Sequence, residues 1–205
     1  MLARDSYDSY RLGGYYPLPP IVAQRSIGSI VPITTLREHL NLFGDTSYDT
    51  ILTLYSEAAQ QNIEDYLGEY LGATTVEQPF SGFSQVLPLS HSRIASITSV
   101  QYWSTSGMRM TVPTTTYVFD TSTKFPRLVL ASGQQWPSDI SQDRDAPVSV
   151  TYSAVWTNPP VVFEQAILLT TAELFAKREN SSSVRYSEVP LSVRNLLAPH
   201  ITRRF

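Results

Sequence analysis

Between Tyr48 and Leu71 apolar side chains return every three or four positions: Leu52, Tyr55, Ala59, Ile63, Tyr66 and Tyr70. Successive helical residues are about 100° apart, so this spacing lays the six along one face. The pattern predicts a long helix, stopped at Gly72 because glycine readily takes the left-handed conformation that ends helices. Upstream, Thr35 followed three residues later by Glu38 fits a reciprocal capping box and predicts a short helix running to about Leu42. Gly44-Asp45-Thr46-Ser47 then reads as a turn. Near the other end, Pro159-Pro160 introduces a helix predicted over 161–177. Its face is traced by Val162, Ala166, Leu169, Ala172 or Glu173, and Ala176, and broadened by Phe163, Ile167, Leu168 and Phe175. After a loop at Asn180-Ser181-Ser182-Ser183, a last short helix spans 191–197, before Pro199.

The period changes in the middle of the chain. From Val76 to Trp156 short apolar runs rich in β-branched and aromatic residues are broken by Pro, Gly and Ser. Strands are predicted at 86–89, 97–103, 110–112, 117–119, 127–130 and 148–155. In the last, Val148, Val150, Tyr152 and Ala154 alternate with Ser149, Thr151 and Ser153, which is the mark of an antiparallel sheet with one buried face. Ser104 to Gly107 is a hairpin turn, and Ser132-Gly133 through Asp145 a longer polar loop. The first 32 residues show neither period. Tyr7, Tyr10, Tyr15 and Tyr16 surround Gly13-Gly14, and Pro17, Pro19 and Pro20 follow. Prolines remove donors and glycines raise the ordering cost, so this is an extended arm, either a plain terminal tail or one that orders on a partner.

The fold class that results is α+β. A helical core drawn from both ends of the chain (33–75 and 158–198) encloses an antiparallel β-rich insertion (76–157). An extended N-terminal arm (1–32) and a basic C-terminal tail (199–205) complete it.

Charge changes this picture more than length does. Charged residues are only 16% of the 205, which leaves surface for protein contacts. Residues 1–176 hold 9 Lys/Arg against 16 Asp/Glu, whereas residues 177–205 hold 6 against 2: a basic tail on an acidic body. From Asp45 to Leu71 there are six acids and no Lys or Arg. Asp49, Glu57 and Glu64 fall within a sector of roughly 80° beside the apolar stripe. This acidic sector is a candidate contact for a basic tail carrying Arg194, Arg203, Arg204 and Phe205, the alternative being an ordinary solvated face.

Candidate chemistry is sparse. The chain contains no cysteine, which removes disulfides, thiolate nucleophiles and cysteine-based metal sites. His39, His91 and His200 lie in separate elements without ligand spacing and read as surface or half-buried residues, so neither metal nor cofactor is expected. There is no phosphate loop, dinucleotide fingerprint or nucleophile elbow; Ser81-Gly82-Phe83-Ser84 reads as a turn. The carboxylates Glu64-Asp65 and Asp139, Asp143 and Asp145 lack the spacing of a catalytic pair or a calcium loop. No stretch approaches the ~18 apolar residues of a membrane span, and no membrane association is expected. An enzyme or glycan-binding module would have to use the β region, with Trp103, Trp136 and Trp156 as stacking residues, although tryptophans in strands and turns are more often core.

The order of the segments resembles the head-to-tail connector (adaptor) proteins of tailed bacteriophages and gene-transfer agents. The resemblance runs from Ile33-Thr34-Thr35-Leu36-Arg37-Glu38-His39-Leu40 through Ile63-Glu64-Asp65-Tyr66-Leu67-Gly68 to Leu87-Pro88-Leu89 and Ile94 to Tyr102. It continues at Tyr117 to Asp120, Arg127-Leu128, Trp136-Pro137 and Val148 to Tyr152, and closes on Pro159-Pro160, Ala166 to Leu169, Lys177-Arg178-Glu179 and Val189-Pro190 through Leu197. It implies a non-enzymatic virion subunit made in the host cytoplasm and placed in the neck. There a homo-oligomeric ring, twelve-fold to match a portal, would join portal to tail or neck proteins and let DNA pass without sequence-specific binding. Another neck or tail-completion protein would share most of these traits. The aromatic arm departs from the family pattern, which starts close to the first short helix.

Overall fold

The computed structural model describes residues 15–26, 28–177 and 191–201. Tyr7, Tyr10, the 180–183 loop, Arg203, Arg204 and Phe205 lie outside the described residues. The chain divides into a β unit, comprising residues up to 25 and 73–155, and a helical unit, comprising 26–72 and 156–202.

Among the described residues of the β unit eight strands form two antiparallel sheets. The strands are β1 (Ile21–Arg25), β2 (Thr74–Phe80), β3 (Val86–Pro88), β4 (Ile94–Trp103), β5 (Arg109–Thr111), β6 (Tyr117–Asp120), β7 (Arg127–Leu130) and β8 (Val148–Ala154). One sheet has the order β1-β2-β8-β4-β5 and the other β3-β7-β6. The alternation predicted for β8 is present: Val148, Val150, Tyr152 and Ala154 are buried and the residues between them are half-buried. β8 pairs with β2 from Thr74↔Ala154 to Phe80↔Val148 and with β4 from Ile94↔Ala154 to Tyr102↔Val148, so it is the central strand. The β4–β5 turn closes at Gly107 (φ 78°), whose N–H donates to the Ser104 carbonyl at 2.9 Å.

Two strands are absent from the sequence prediction. β2 carries Glu77 and Pro79 in its apolar run, and β1 follows three prolines within the segment read as an irregular arm. β1 is nonetheless the edge of the sheet, with Ile21 opposite Glu77 and Val22 opposite Val76. An edge tolerates nearby prolines because only one side needs donors. The inner face also holds a buried polar link. His91 Nδ1 lies 2.8 Å from the Tyr152 hydroxyl, which donates to Gln78 Oε1 at 3.2 Å, while Gln78 Nε2 donates to the Pro88 carbonyl at 3.2 Å. The expected exposure of His91 is therefore corrected: it is 7% exposed, because the connection from β3 to β4 is folded onto the sheet through these bonds.

At the β6–β7 turn Asp120 accepts hydrogen bonds from Ser122 N–H (2.9 Å) and Arg127 Nε (2.8 Å). Bonds from Ser122, and then the Arg127 guanidinium, hold its carboxyl down at about 2. A carboxyl depressed on folding contributes stability above its unfolded pKa and loses it as pH falls through the folded one. An NMR titration should find the Asp120 midpoint near 2, moving part of the way toward the ordinary 3.8 in Arg127→Ala, where Ser122 still donates.

The helical unit contains α1 (Ile33–His39), α2 (Asp49–Leu67), α3 (Val161–Lys177) and α4 (Leu191–Leu197). Its core joins Ala59, Ile63 and Leu67 of α2, Phe163, Ala166 and Ile167 of α3, and Val193 and Leu197 of α4, together with Val31, Leu36 and Leu71. Three local expectations are corrected. The capping box is not made: α1 begins at Ile33 behind Pro32, with no side-chain cap, so Thr35 already stands inside the helix. α2 stops at Gly68 (φ 71°), one turn before Gly72, with the Gly68 N–H bonded to the Glu64 carbonyl. And of the broad face expected on α3, Phe163, Ala166 and Ile167 are buried together with Thr170 and Thr171, whereas Val162 is half-buried and Leu169 and Ala176 are exposed. A helix apolar on nearly every side carries no periodic signal to say which side turns inward.

Candidate functional site

Among the described residues no group of three or more His, Asp or Glu could hold a metal ion. No described helix is long and apolar enough to cross a membrane. The residues singled out in the sequence fall in two places, the acidic helix and the N-terminal segment.

The acidic helix is the first case. Asp49 lies at the start of α2, with its Oδ1 3.1 Å from Arg37 Nε of α1 in an ion pair too poorly aligned for a hydrogen bond. Glu57 is half-buried about two helical turns before Glu64, in the same sector. Glu64 itself is 3% exposed and turned toward its own backbone. Its Oε1 accepts from Gln60 Nε2 (3.0 Å), Leu71 N–H (2.9 Å) and Gly72 N–H (3.1 Å). The arrangement follows from the stop at Gly68: once the chain leaves the helix it doubles back, and the next turn's amides would be buried without an acceptor. Gln60 extends the link, its Oε1 accepting from Ile30 N–H at 2.8 Å. Glu64, through Gln60, thus ties the exit of α2 to the segment that leads into α1. The signal available for it was a Gln–Glu pair spaced i, i+4 immediately before a glycine stop. Arg194 is half-buried on α4.

The second case is the N-terminal segment of the β unit. Tyr15 and Tyr16 are 42% and 46% exposed. The Tyr16 N–H donates to Ser81 Oγ (2.9 Å), and the Ser81 N–H to the Tyr16 carbonyl (3.2 Å). The Tyr15 ring lies flat enough on Gly82 that a Cβ there would overlap it. This close approach is the reason for a glycine at position 82. Tyr15 and Pro17 also line a groove of about 480 Å³ with Phe80, Phe83, Val86 and Leu87. The tryptophans are committed elsewhere. Trp136 stacks on Phe83 at 4.6 Å and donates its Nε1–H to the Ser84 carbonyl at 2.8 Å. Trp103 carries the Arg144 guanidinium 3.9 Å above its ring, and Trp156 meets Phe163 edge-on at 4.9 Å.

Residues 31–103, which run from α1 through β4, match the family described as phage gp6-like head-tail connector protein. No curated protein matches the chain. Among solved structures, a chain from the virion of a native gene transfer agent (GTA) particle superposes with a TM-score of 0.68 at 20% identity, covering 92% of this chain and 97% of that one. A chain from the neck of an empty GTA particle computed with C6 symmetry gives 0.68 at 22% identity, with the same coverage. One from the neck of a native GTA particle computed with C12 symmetry gives 0.59 at 19% identity, covering 89% and 97%. The resemblance read from the residues therefore agrees with both comparisons: the chain carries the pattern of the phage gp6-like head-tail connector family over residues 31–103, on a fold it shares almost end to end with chains of gene transfer agent particles.

Proposed function

We propose that the chain is a structural, non-catalytic subunit of the neck of a tailed phage or gene transfer agent, forming a head-to-tail connector ring that binds the portal and joins capsid to tail. The observation that carries this reading is a fold correspondence over 92% of the chain to a chain in a GTA neck, combined with the family match across the first half of the helical unit and the start of the sheet. The charge distribution supports it physically. A conduit should not grip DNA, and a body with 9 Lys/Arg against 16 Asp/Glu over residues 1–176 has no basic stripe for phosphates to follow. Twelve copies would match the C12 symmetry with which one such neck was computed. The tyrosines of the N-terminal arm and the terminal Arg203, Arg204 and Phe205 are the attachments proposed toward neighbouring components.

Electron microscopy of the full-length chain mixed with the portal protein from the same source tests the proposal. A ring of added density on the portal is the expected result. An unchanged portal under assembly conditions would overturn it, and a ring that binds tail tube but not portal would reassign the chain to tail completion.

A further inference from the structure

The helical unit presents two outward faces of different character. On α3 the sector opposite the buried residues holds Val161, Gln165, Leu169, Ala172 and Ala176, with no charged residue among them; Val161 is 77% and Leu169 36% exposed. On α2 the sector opposite its buried residues holds Leu54, Ala58, Gln61 and Asp65, with Leu54 57% exposed and half-buried Glu57 at its margin. Because α2 and α3 meet through their buried sides in one core, these two faces look away from each other on opposite sides of the pair. Single exposed leucines are ordinary on a protein surface, but an uncharged row running the length of a helix, with Val161 and Leu169 open to solvent, is a surface suited to being covered.

From these faces we infer that the ring contact is made by the neutral α3 face of one copy packing on the α2 face of the next; the inference rests on the connector reading. Charge selects the pairing. α2 contains four acids and no Lys or Arg, so two α2 faces would set Glu57 and Asp65 against their like, whereas the central row of the α3 face is uncharged and its one exposed acid, Glu164, lies at the margin. Position agrees with it: a ring repeats a heterologous contact, which needs two different complementary patches on each subunit, placed so that one copy leads to the next. Size excludes a free dimer as the occupant. Seventeen residues make α3 about 25 Å long. A helix-on-helix contact of that length and about 10 Å width buries on the order of 500 Å² in total, against the roughly 1,200 Å² at which specific interfaces begin. Such a contact holds when each copy makes it twice within a closed ring seated on a platform.

The absence of cysteine gives a clean test. The full-length chain carrying Leu54→Cys and Leu169→Cys together, assembled on the portal and treated with a short bis-maleimide, should yield a denaturant-resistant ladder of multimers, while either single variant stays monomeric. A ring visible by microscopy without a ladder overturns this contact and leaves the connector reading intact; dimers from Leu169→Cys alone overturn it in favour of α3 on α3. Failure to form any ring in the unsubstituted chain instead overturns the connector reading itself. The sign of charge provides a second readout that loss of packing alone would not produce. Leu169→Asp, facing Glu57 and Asp65 of the neighbour, should reduce ring yield at least tenfold more than Leu169→Lys, and equal losses would count against the pairing.

Discussion

Phe163→Ala is expected to lower the stability of the helical unit by about 3–5 kcal/mol, the usual cost of truncating a fully buried phenylalanine. Phe163 is 0% exposed, stands edge-on to Trp156 at 4.9 Å and to His200 at 5.2 Å, and belongs to the core that joins α2, α3 and α4. Alanine removes the ring and leaves a cavity that three helices cannot close without giving up their own contacts. Urea unfolding followed by helical circular dichroism measures the loss, since the four α-helices among the described residues lie in this unit. Val161→Ala, two residues away but 77% exposed, is the control and should change stability by no more than about 0.5 kcal/mol. Equal effects at the two positions would mean that α3 is rotated from the orientation described.

Glu64→Ala is the second large effect, at about 3 kcal/mol. One carboxylate oxygen accepts from the Gln60 amide and from the backbone of Leu71 and Gly72. Hydrogen bonds to a charged group contribute about 1.5–3 kcal/mol each, and a buried donor left without a partner adds its own desolvation cost. Water entering the space left by the side chain recovers part of that sum. Glu64→Gln keeps an acceptor oxygen at the same reach and should cost clearly less. The measurement also separates two roles for this residue. A residue serving only the contact between copies would weaken ring formation and leave the stability of the isolated chain unchanged; the bonds described here require the isolated chain itself to be destabilised.

How much of this was legible from the sequence differs from residue to residue, and the differences have physical causes. β8 was readable because each of its side chains is committed to one of two faces, and a strand with one buried face must alternate. The bounds of α3 and α4 were readable because Pro159-Pro160, the polar run from Lys177 to Ser183 and Pro190 and Pro199 mark ends locally. The inward side of α3 was not, since Val162, Phe163, Leu168 and Leu169 are equally apolar and only their neighbours decide which of them are covered. β1 and β2 are hard to read because their strand character depends on pairing: in Thr74 to Phe80 the inward positions include the polar Thr74 and Gln78 and the run contains Pro79, so apolar alternation is missing although β8 and β1 flank it. The stop of α2 offered two glycines, and local chemistry does not choose between Gly68 and Gly72. The choice falls to Gly68 because Glu64 is then in reach of the amides that follow.

The acidic sector shows the same division within one motif. Asp49, Glu57 and Glu64 share a side of α2 because helix geometry depends on spacing alone, and the sequence is sufficient for that. Which of the three meets solvent depends on what the rest of the chain places beside them: Arg37 against Asp49, and the returning backbone of Leu71 and Gly72 against Glu64. The amino-acid sequence by itself determined the α+β class, the position of most elements, the scarcity of catalytic chemistry and the likeness to a connector. Tertiary structure alone decided which face of α3 is core, that the N-terminal segment supplies an edge strand, and that Glu64 is a buried fastening. Periodicity and charge are properties of neighbours along the chain, whereas burial is a property of neighbours in space.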